Sequence, residues 1–308
     1  MTGLRKNGNK LFCSELKLDE NNKFDAWLGR LPMISELKKS EFYKCQELLY
    51  EHGQLEAKAV IEGVNPGRVF VDDFELPTSG LIWLGNNDGF IFIGNEKNDQ
   101  FNNNLNNFID HTIIPEARKV ELNWFEGIGN HRKWNETIEK VLKDRKLGSW
   151  NQRVYTLQKD NFKGNNEIEV EEGYKAVKIS KALYENKEST IRNSEFLQAS
   201  ILEFWSSSER FFSRGIGYCM IYKNEIVSIC FSGFVAGNIH AVSIETLEAH
   251  RGKKLAQKLA ESFVKDCLNN HITPYWDCME SNKPSIAVAE NLGFKQVNDY
   301  IGYDFSFK

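Results

Sequence analysis

Three cations crowd the start of one helix. In HAVSIETLEAHRGKKLAQKLAESFVKDCL (240–268), Arg251, Lys253 and Lys254 surround Gly252. Just after them Leu255, Ala256, Leu259, Ala260, Phe263, Val264, Cys267 and Leu268 recur at helical spacing, so one face of the helix is buried. A helix N-terminus is already positive, and each misplaced cation costs about 0.3–1 kcal/mol there. An ordinary helix opens on Ser, Thr or Asp with early acids. Unpaired backbone N–H groups and cations gathered at one point suit a bound anion, and a diphosphate suits a helix start well. Gly252 removes a side chain where backbone and ligand approach. The competing reading is a solvated Lys/Arg cluster on a wet face. The spacing of a Walker-type phosphate loop is missing, and a single Gly makes no dinucleotide fingerprint.

The elements that position this turn follow from periodicity. The pattern predicts a strand at 240–246 before it and a helix over 252–268 behind it. Strands at 217–222 and 225–234 precede them, with a further strand at 174–179 and a single helix over 194–212. After the helix come a strand at 274–278, a helix at 283–291 and two last strands, near 296–297 and 303–307. Pro284 suits a first helical turn, Gly293 a C-terminal cap with Phe294 returning to the core, and Asn282 an N-cap. Earlier in the chain, 35–51 has a mixed helical pattern. Short β-rich runs at 58–64, 68–74, 81–85 and 90–94 are separated by turn residues, with a hairpin turn signal in GNNDGF. FNNNLNNFIDHTI reads as an amphipathic helix with an Asn-rich wet face, followed by a strand (119–125), a helix (134–143) and a strand (152–157). Both halves share an order of elements, which suggests a duplication. A polar stretch at 159–173 is the linker, so the expected domains are 1–165 and 166–308.

Composition narrows the classes. The chain has 308 residues, 39 basic against 43 acidic, for a net charge of −4. That argues against a nucleic-acid binder, which normally carries a basic face. No run reaches the ~18 apolar residues of a membrane span, and the first 30 residues lack an apolar core of signal-peptide length. Cys13, Cys45, Cys219, Cys230, Cys267 and Cys278 show no metal-ligand spacing and read as reduced thiols of a cytoplasmic protein. Trp83, Trp124, Trp205 and Trp276 read as core, and His240 and His250 as structural or surface groups.

RGKKLA, after a strand and opening an amphipathic helix, resembles the pyrophosphate signature of the GNAT superfamily of N-acetyltransferases. Arg251 and Ala256 match its first and last positions, and Lys254 stands where the family has its middle Gly. WDCMESNKPSIAVAENLGFKQV (276–297) is similar to the family's strand–Asn–helix–Leu-Gly-Phe ending. IETLEAHRGKKLA together with WDCMESNKPS is similar to the zwittermicin A resistance type, which carries an extra N-terminal half. VFVDDFELPTSGLIWL and GFIFIGN match that half, so the resemblance covers roughly residues 60–300.

The resemblance implies an α+β fold with a mixed, mostly antiparallel sheet flanked by helices, and a degenerate GNAT-like N-terminal half that binds no coenzyme. It implies acetyl-CoA as co-substrate, no metal, and transfer of acetyl to a primary amine of a small molecule, with an amino-bearing antibiotic as one such acceptor. The backbone at Arg251, Gly252, Lys253, Lys254, Leu255 and Ala256 would hold the pyrophosphate. Ile244, Glu245 and Thr246 would pair with the pantetheine arm, and Asn282 and Ser285 would contact the coenzyme. Lys254 makes a left-handed backbone less accessible than Gly, so a slightly altered loop is expected. If Ile244 and Thr246 face the helices, Glu245 faces the acceptor and is the first candidate base. Asp277, an acid in an apolar strand, is the second. The Tyr acid that many members place on the last helix is replaced by Ala289, leaving Tyr300 and Tyr303 as substitutes. Rival readings are a non-catalytic acyl-CoA-binding regulator and a protein or peptide N-acyltransferase. No nucleic-acid or membrane partner is expected, and association as a homodimer stays open.

Overall fold

The computed structural model describes residues 34–85, 89–164, 168–187 and 189–308. Cys13, the centre of the turn at 86–88 and the domain boundary at 165/166 lie outside the described residues. Among the described residues twelve strands form one sheet: β1 (Ser35–Leu37), β2 (Arg68–Val71), β3 (Ser79–Trp83), β4 (Gly89–Gly94), β5 (Trp124–Gly129), β6 (Gly148–Thr156), β7 (Tyr174–Lys178), β8 (Gly217–Tyr222), β9 (Glu225–Ala236), β10 (Ile239–Thr246), β11 (Thr273–Met279) and β12 (Lys295–Ser306). Their spatial order is β1-β2-β3-β4-β5-β12-β6-β11-β10-β9-β8-β7. Exchanging β1–β6 for β7–β12 reproduces the same order read from the other edge. The pairs β4/β5 and β10/β11 are parallel and correspond under that exchange; the other pairings in the sheet are antiparallel. The expected fold class is therefore what the chain adopts. At the centre, each half's last strand, β6 or β12, pairs with the other half as well as with its counterpart.

Among the described residues the α-helices are α1 (Leu55–Ile61), α2 (Asp99–Phe108), α3 (Ile114–Lys119), α4 (Trp134–Val141), α5 (Lys181–Glu185), α6 (Ser194–Phe204), α7 (Ser208–Arg214), α8 (Leu255–Asn269) and α9 (Lys283–Leu292). One face of the sheet is covered by α2 and α4 in the first half and by α8 and α9 in the second. Phe101, Leu105, Trp134 and Ile138 meet Phe90, Phe92 and Phe125 there, and Leu259, Phe263 and Leu292 meet Trp276 and Phe294. Each such side chain contributes about 1.5–3 kcal/mol by leaving water. On the other face a core runs across the seam between the halves: Leu55, Ala59 and Val60 of α1 share it with Phe234, Ala241 and Tyr275.

Several elements differ from the sequence reading. Residues 58–64 do not form a strand; they lie largely in α1, where Ala57, Ala59, Val60 and Ile61 are all buried. A short continuous apolar run has no period to separate buried helix from buried strand. The helix expected over 194–212 breaks at Trp205, whose indole donates to the Ser232 carbonyl at 2.8 Å. It restarts where Ser207 caps the Arg210 N–H. The two expected last strands are one, β12, with an irregularity between Gln296 and Asn298. Trp124, expected in the core, begins β5 on the surface and is 48% exposed.

Candidate functional site

The site begins where two parallel strands part. β10 and β11 pair only at Ile239/Thr273, His240/Pro274 and Ala241/Tyr275. Beyond that β10 follows β9 out to Thr246, while β11 follows β6 out to Met279. A V-shaped gap opens between them toward their C-terminal ends. An irregularity in the β9 pairing between His240 and Val242 marks its apex. Asn65, buried and contributed by the first half, fixes the extra β9 residues there. Its amide donates to the Gly233 carbonyl at 2.8 Å and the Phe204 carbonyl at 2.9 Å, and its oxygen accepts from the Val235 N–H at 2.9 Å. The corresponding pair β4/β5 stays closed: it is paired from Gly89/Glu126 to Phe92/Gly129, and the Asn130 N–H continues it to the Phe92 carbonyl. α2, the counterpart of α8, has its first turn capped by its own Asn98 side chain.

The mouth of the V carries the cationic turn. α8 starts without a side-chain cap and without an acid in its first turn. Gly252 has φ +79°, and Lys254 adopts the left-handed conformation too, at φ 60°. The altered loop expected from Lys254 is thus not needed; the lysine takes the glycine-like conformation at a cost of about 1–2 kcal/mol. The three cations do not converge in this arrangement. The Arg251 guanidinium bonds the Thr246 carbonyl at 3.1 Å, the Lys253 ammonium reaches Glu171 at 2.7 Å, and Lys254 is exposed. Leu255 is buried in the core and Ala256 is half-buried behind it. Ile244 packs against the α8 core, and the Thr246 hydroxyl meets that of Ser228 at 2.7 Å. Asn282 caps α9 by accepting from the Ser285 N–H, and the Ser285 hydroxyl accepts from the Trp276 indole at 3.0 Å. The starts of α8 and α9 both lie at the open end of the V.

The carboxylates occupy the opposite face of the sheet from α8. Register puts Ala241, Ser243 and Glu245 of β10 on the same face as Tyr275 and Asp277 of β11. Glu245 is exposed. Asp277 is not alone: Glu56, from α1, lies close enough to raise it electrostatically. Burial is the first cause that pushes Asp277 well above the usual carboxylate range, with Glu56 next and a bond from Tyr300 opposing. Burial likewise lifts Glu56 to about 7. The Tyr300 hydroxyl donates to Asp277 Oδ2 at 2.6 Å. Tyr303 is turned to the other face, where it bonds Glu139. Ala289, on the buried face of α9, is fully buried. Cys278 is mostly buried and its thiol is raised, chiefly by burial. His240 accepts or donates to Ser232 at 2.8 Å and is lowered to about 4 by burial and by Arg214.

A cavity of about 760 Å³ lies on this face, lined by Tyr275 and Tyr300, by Ile239, by Gln54 and Leu55 at the start of α1, and by His131. Ile239 and Tyr275 are also at the closed end of the V, so the two openings meet. The rim is fixed by buried amides. Gln54 donates to the Gly129 carbonyl, Asn130 donates to Gln54, and Asn130 accepts from the Tyr50 N–H. Gly53 is required there, because a Cβ would sit 2.2 Å from the Asn130 amide nitrogen. Sequence reasoning missed Glu56 and this whole wall. The available signal was an acid in the apolar run LEAKAVI, but nothing local pairs it with Asp277. Among the described residues, no group of three or more His, Cys, Asp or Glu is placed to hold a metal ion, and no helix is long and apolar enough to cross a membrane.

Known proteins share this fold. A family profile described as GNAT acetyltransferase matches residues 46–303. An uncharacterized N-acetyltransferase, YdfB of Bacillus subtilis, is 30% identical over 246 residues, 80% of this chain and 88% of its own. An N-alpha-acetyltransferase of Saccharolobus solfataricus is 39% identical over 66 residues, 21% of this chain and 40% of its own. Among solved structures, a GCN5-related N-acetyltransferase-like protein of Streptococcus suis superposes with a TM-score of 0.65 at 20% identity, over 86% of this chain and 98% of that one. A tandem GNAT protein from the clavulanic acid biosynthesis pathway does so with a TM-score of 0.57 at 12% identity, over 89% and 98%.

Proposed function

The chain belongs to the GNAT acetyltransferase family, and from that premise we propose that it moves an acetyl group from acetyl-CoA to the primary amine of a small molecule held in the cavity beside α1. The observation that carries this reading is the junction of the two openings at Ile239 and Tyr275. A thioester end lying in the V and an amine in the cavity would meet at the closed end, and such positioning supplies much of the rate of an acyl transfer.

The residues at the mouth fit the coenzyme. An uncapped helix start with two left-handed residues before it presents backbone N–H groups outward, which suits a pyrophosphate. Arg251 to Ala256 would hold that group, the edge of Ile244, Glu245 and Thr246 would take the pantetheine arm, and Asn282 and Ser285 would close the far side. Bound acetyl-CoA supplies the acyl group as an activated thioester. The chain supplies proton transfer. An alkyl ammonium has a pKa near 10 and must lose a proton, and a carboxyl raised to about 7 is matched to that task near neutral pH. Asp277 and Glu56 are therefore assigned as the base, with Glu245 as a second acceptor of protons at the mouth. Tyr300, bonded to Asp277, is the phenol placed to return a proton. The first half is read as a degenerate GNAT-like copy that shapes the acceptor wall, supported by the matching strand order and the closed β4/β5 pair. The zwittermicin A resistance type and an amino-bearing antibiotic acceptor are supported by IETLEAHRGKKLA and WDCMESNKPS. Five buried cysteines without disulfides support a cytoplasmic setting.

A peptide N-terminus is the second reading, favoured by the 66-residue match to an N-alpha-acetyltransferase. Thiol release from acetyl-CoA, measured over a panel of small amines and short peptides, tests both. Turnover with small amines that is lost in Asp277→Asn supports the first. Turnover confined to peptides replaces it with the second, and none with either leaves a coenzyme-binding scaffold.

A further inference from the structure

The cavity beside α1 sets apolar surface among polar groups that are already engaged. Its floor is Leu55, Val154, Ile239 and Tyr275, which belong to the core shared by the two halves. Most polar side chains of the lining bond the protein itself. Gln54 and Asn130 hold the rim, the His131 Nε2–H donates to the Gly94 carbonyl at 3.1 Å, the Lys58 ammonium donates to the Glu51 carbonyl at 3.0 Å, and Arg132 pairs with Asp299. Glu51 and Lys133 are exposed, where water and salt screen them.

Two large apolar side chains in this lining are left uncovered. Val297 is 58% exposed and Tyr50 48%. Apolar residues scattered singly on a surface need no explanation, but the backbone delivers both of these to one cavity. Val297 is the residue that the β12 irregularity leaves out: Gln296 pairs with Tyr155 and Asn298 with Val154, and no residue of β6 is in register with Val297. A bulge re-aims a side chain, and bulges gather beside active sites. Tyr50 is fixed from behind. Its N–H donates to Asn130 Oδ1 at 2.6 Å, and its ring meets those of His52 and His131 edge-on at 5.8 and 6.1 Å. A ring held in place yet uncovered offers a ligand a large contact at little cost in side-chain entropy.

We propose that Tyr50 and Val297, one from each half of the chain, are specificity-determining lips that flank the apolar body of the acceptor, and that the acceptor is a primary amine at the end of an alkyl or aryl group rather than one set among hydroxyls or carboxylates. The inference rests on the acceptor reading of the cavity and names the acceptor's class. The amine end lies toward Ile239 and Tyr275, where the V closes, and the body runs out along Leu55 to the lips. A cavity of about 760 Å³ has room for such a body. Covering the floor and the lips takes apolar surface out of water, which favours each buried methylene about fourfold.

The test is acetylation kinetics on the full chain, read by thiol release, with n-hexylamine, 2-phenylethylamine and 2-(2-aminoethoxy)ethanol, a polar amine of the same length as n-hexylamine. kcat/KM for the better of the two apolar amines is expected to exceed that for the polar one by about tenfold or more, and which is better tells alkyl from aryl. Tyr50→Ala is expected to cut that ratio about tenfold and Val297→Ser about fourfold, mainly through KM, while Tyr50→Phe and Val297→Ile keep it. Damage to the fold would lower both rates together and leave their ratio. A wild-type ratio near unity, which needs no variant to fold, overturns the inference, and so does a ratio that survives both Tyr50→Ala and Val297→Ser. Calorimetry with saturating CoA, which carries no acetyl group, separates this from the functional reading. Apolar amines that bind roughly tenfold tighter than the polar one but take no acetyl sink the transferase and keep the lips. Acetylation of the polar amine as fast as the others keeps the transferase and overturns the lips, and apolar amines that neither bind nor react overturn them too.

Discussion

At the scale of single residues, the carboxyl pair assigned as the base should set both stability and rate. Glu56 ionises near 4.5 when exposed and near 7 in the fold, so the folded chain binds more protons between those values. Its contribution is full below about 4.5 and is lost as pH climbs through about 7. Glu56→Gln removes that dependence. Thermal melts of the ligand-free protein should show the variant more stable near pH 8 by on the order of 1–3 kcal/mol, and little changed near pH 5. The rate follows the opposite sense, since a base works when deprotonated. kcat/KM for a small amine is expected to rise through an inflection near 7 in the wild type. Glu56→Gln should remove that inflection, whereas Glu245→Gln should leave it in place. An inflection that disappears only in Glu245→Gln would move the base to the mouth of the V.

At the scale of elements, the start of α8 and the bulge of β9 hold the site in shape. Lys254 sits at φ 60°, a conformation that Gly adopts without penalty. Lys254→Gly is expected to raise stability by about 1 kcal/mol, read as a higher melting temperature, with acetyl-CoA affinity kept. The β9 bulge depends on Asn65, whose side chain bonds Gly233, Phe204 and Val235. Asn65→Ala should cost about 2–4 kcal/mol, as unpaired buried groups do, and should lower kcat more than it raises the KM for acetyl-CoA, because the apex moves and the mouth does not. Much at this scale was legible in the sequence. The stripe from Leu255 to Leu268 and the Pro284 and Gly293 signals place α8, β11 and α9 to within a few residues, since those elements follow local rules. α1 was not legible, because its apolar residues are buried all round and show no period. Glu56 stayed hidden for a different reason: its partner is more than two hundred positions away, and only the fold brings the two carboxyls together.

At the scale of the whole molecule, the central strands tie the halves into one sheet. β6 pairs with both β11 and β12, and β12 pairs with β5. Cutting the chain at the proposed boundary after 165 would leave β11 with an unpaired edge and would expose Phe234, Ala241 and Tyr275, which α1 covers. It would also remove Glu56 and Asn65 from the site. An exposed edge strand with an apolar face invites association with other chains. The fragment 166–308, which carries the whole coenzyme signature, is therefore expected to aggregate or remain loosely packed when produced alone, and to show no acetyl transfer. Co-production with 34–165 should restore a soluble complex and activity, because the two pieces regain the same central pairing. Size-exclusion chromatography and thiol release on both preparations decide the matter. A soluble, active 166–308 fragment would mean that the second half needs neither the strand exchange nor the carboxyl that the first half brings, and the shared site would have to be given up.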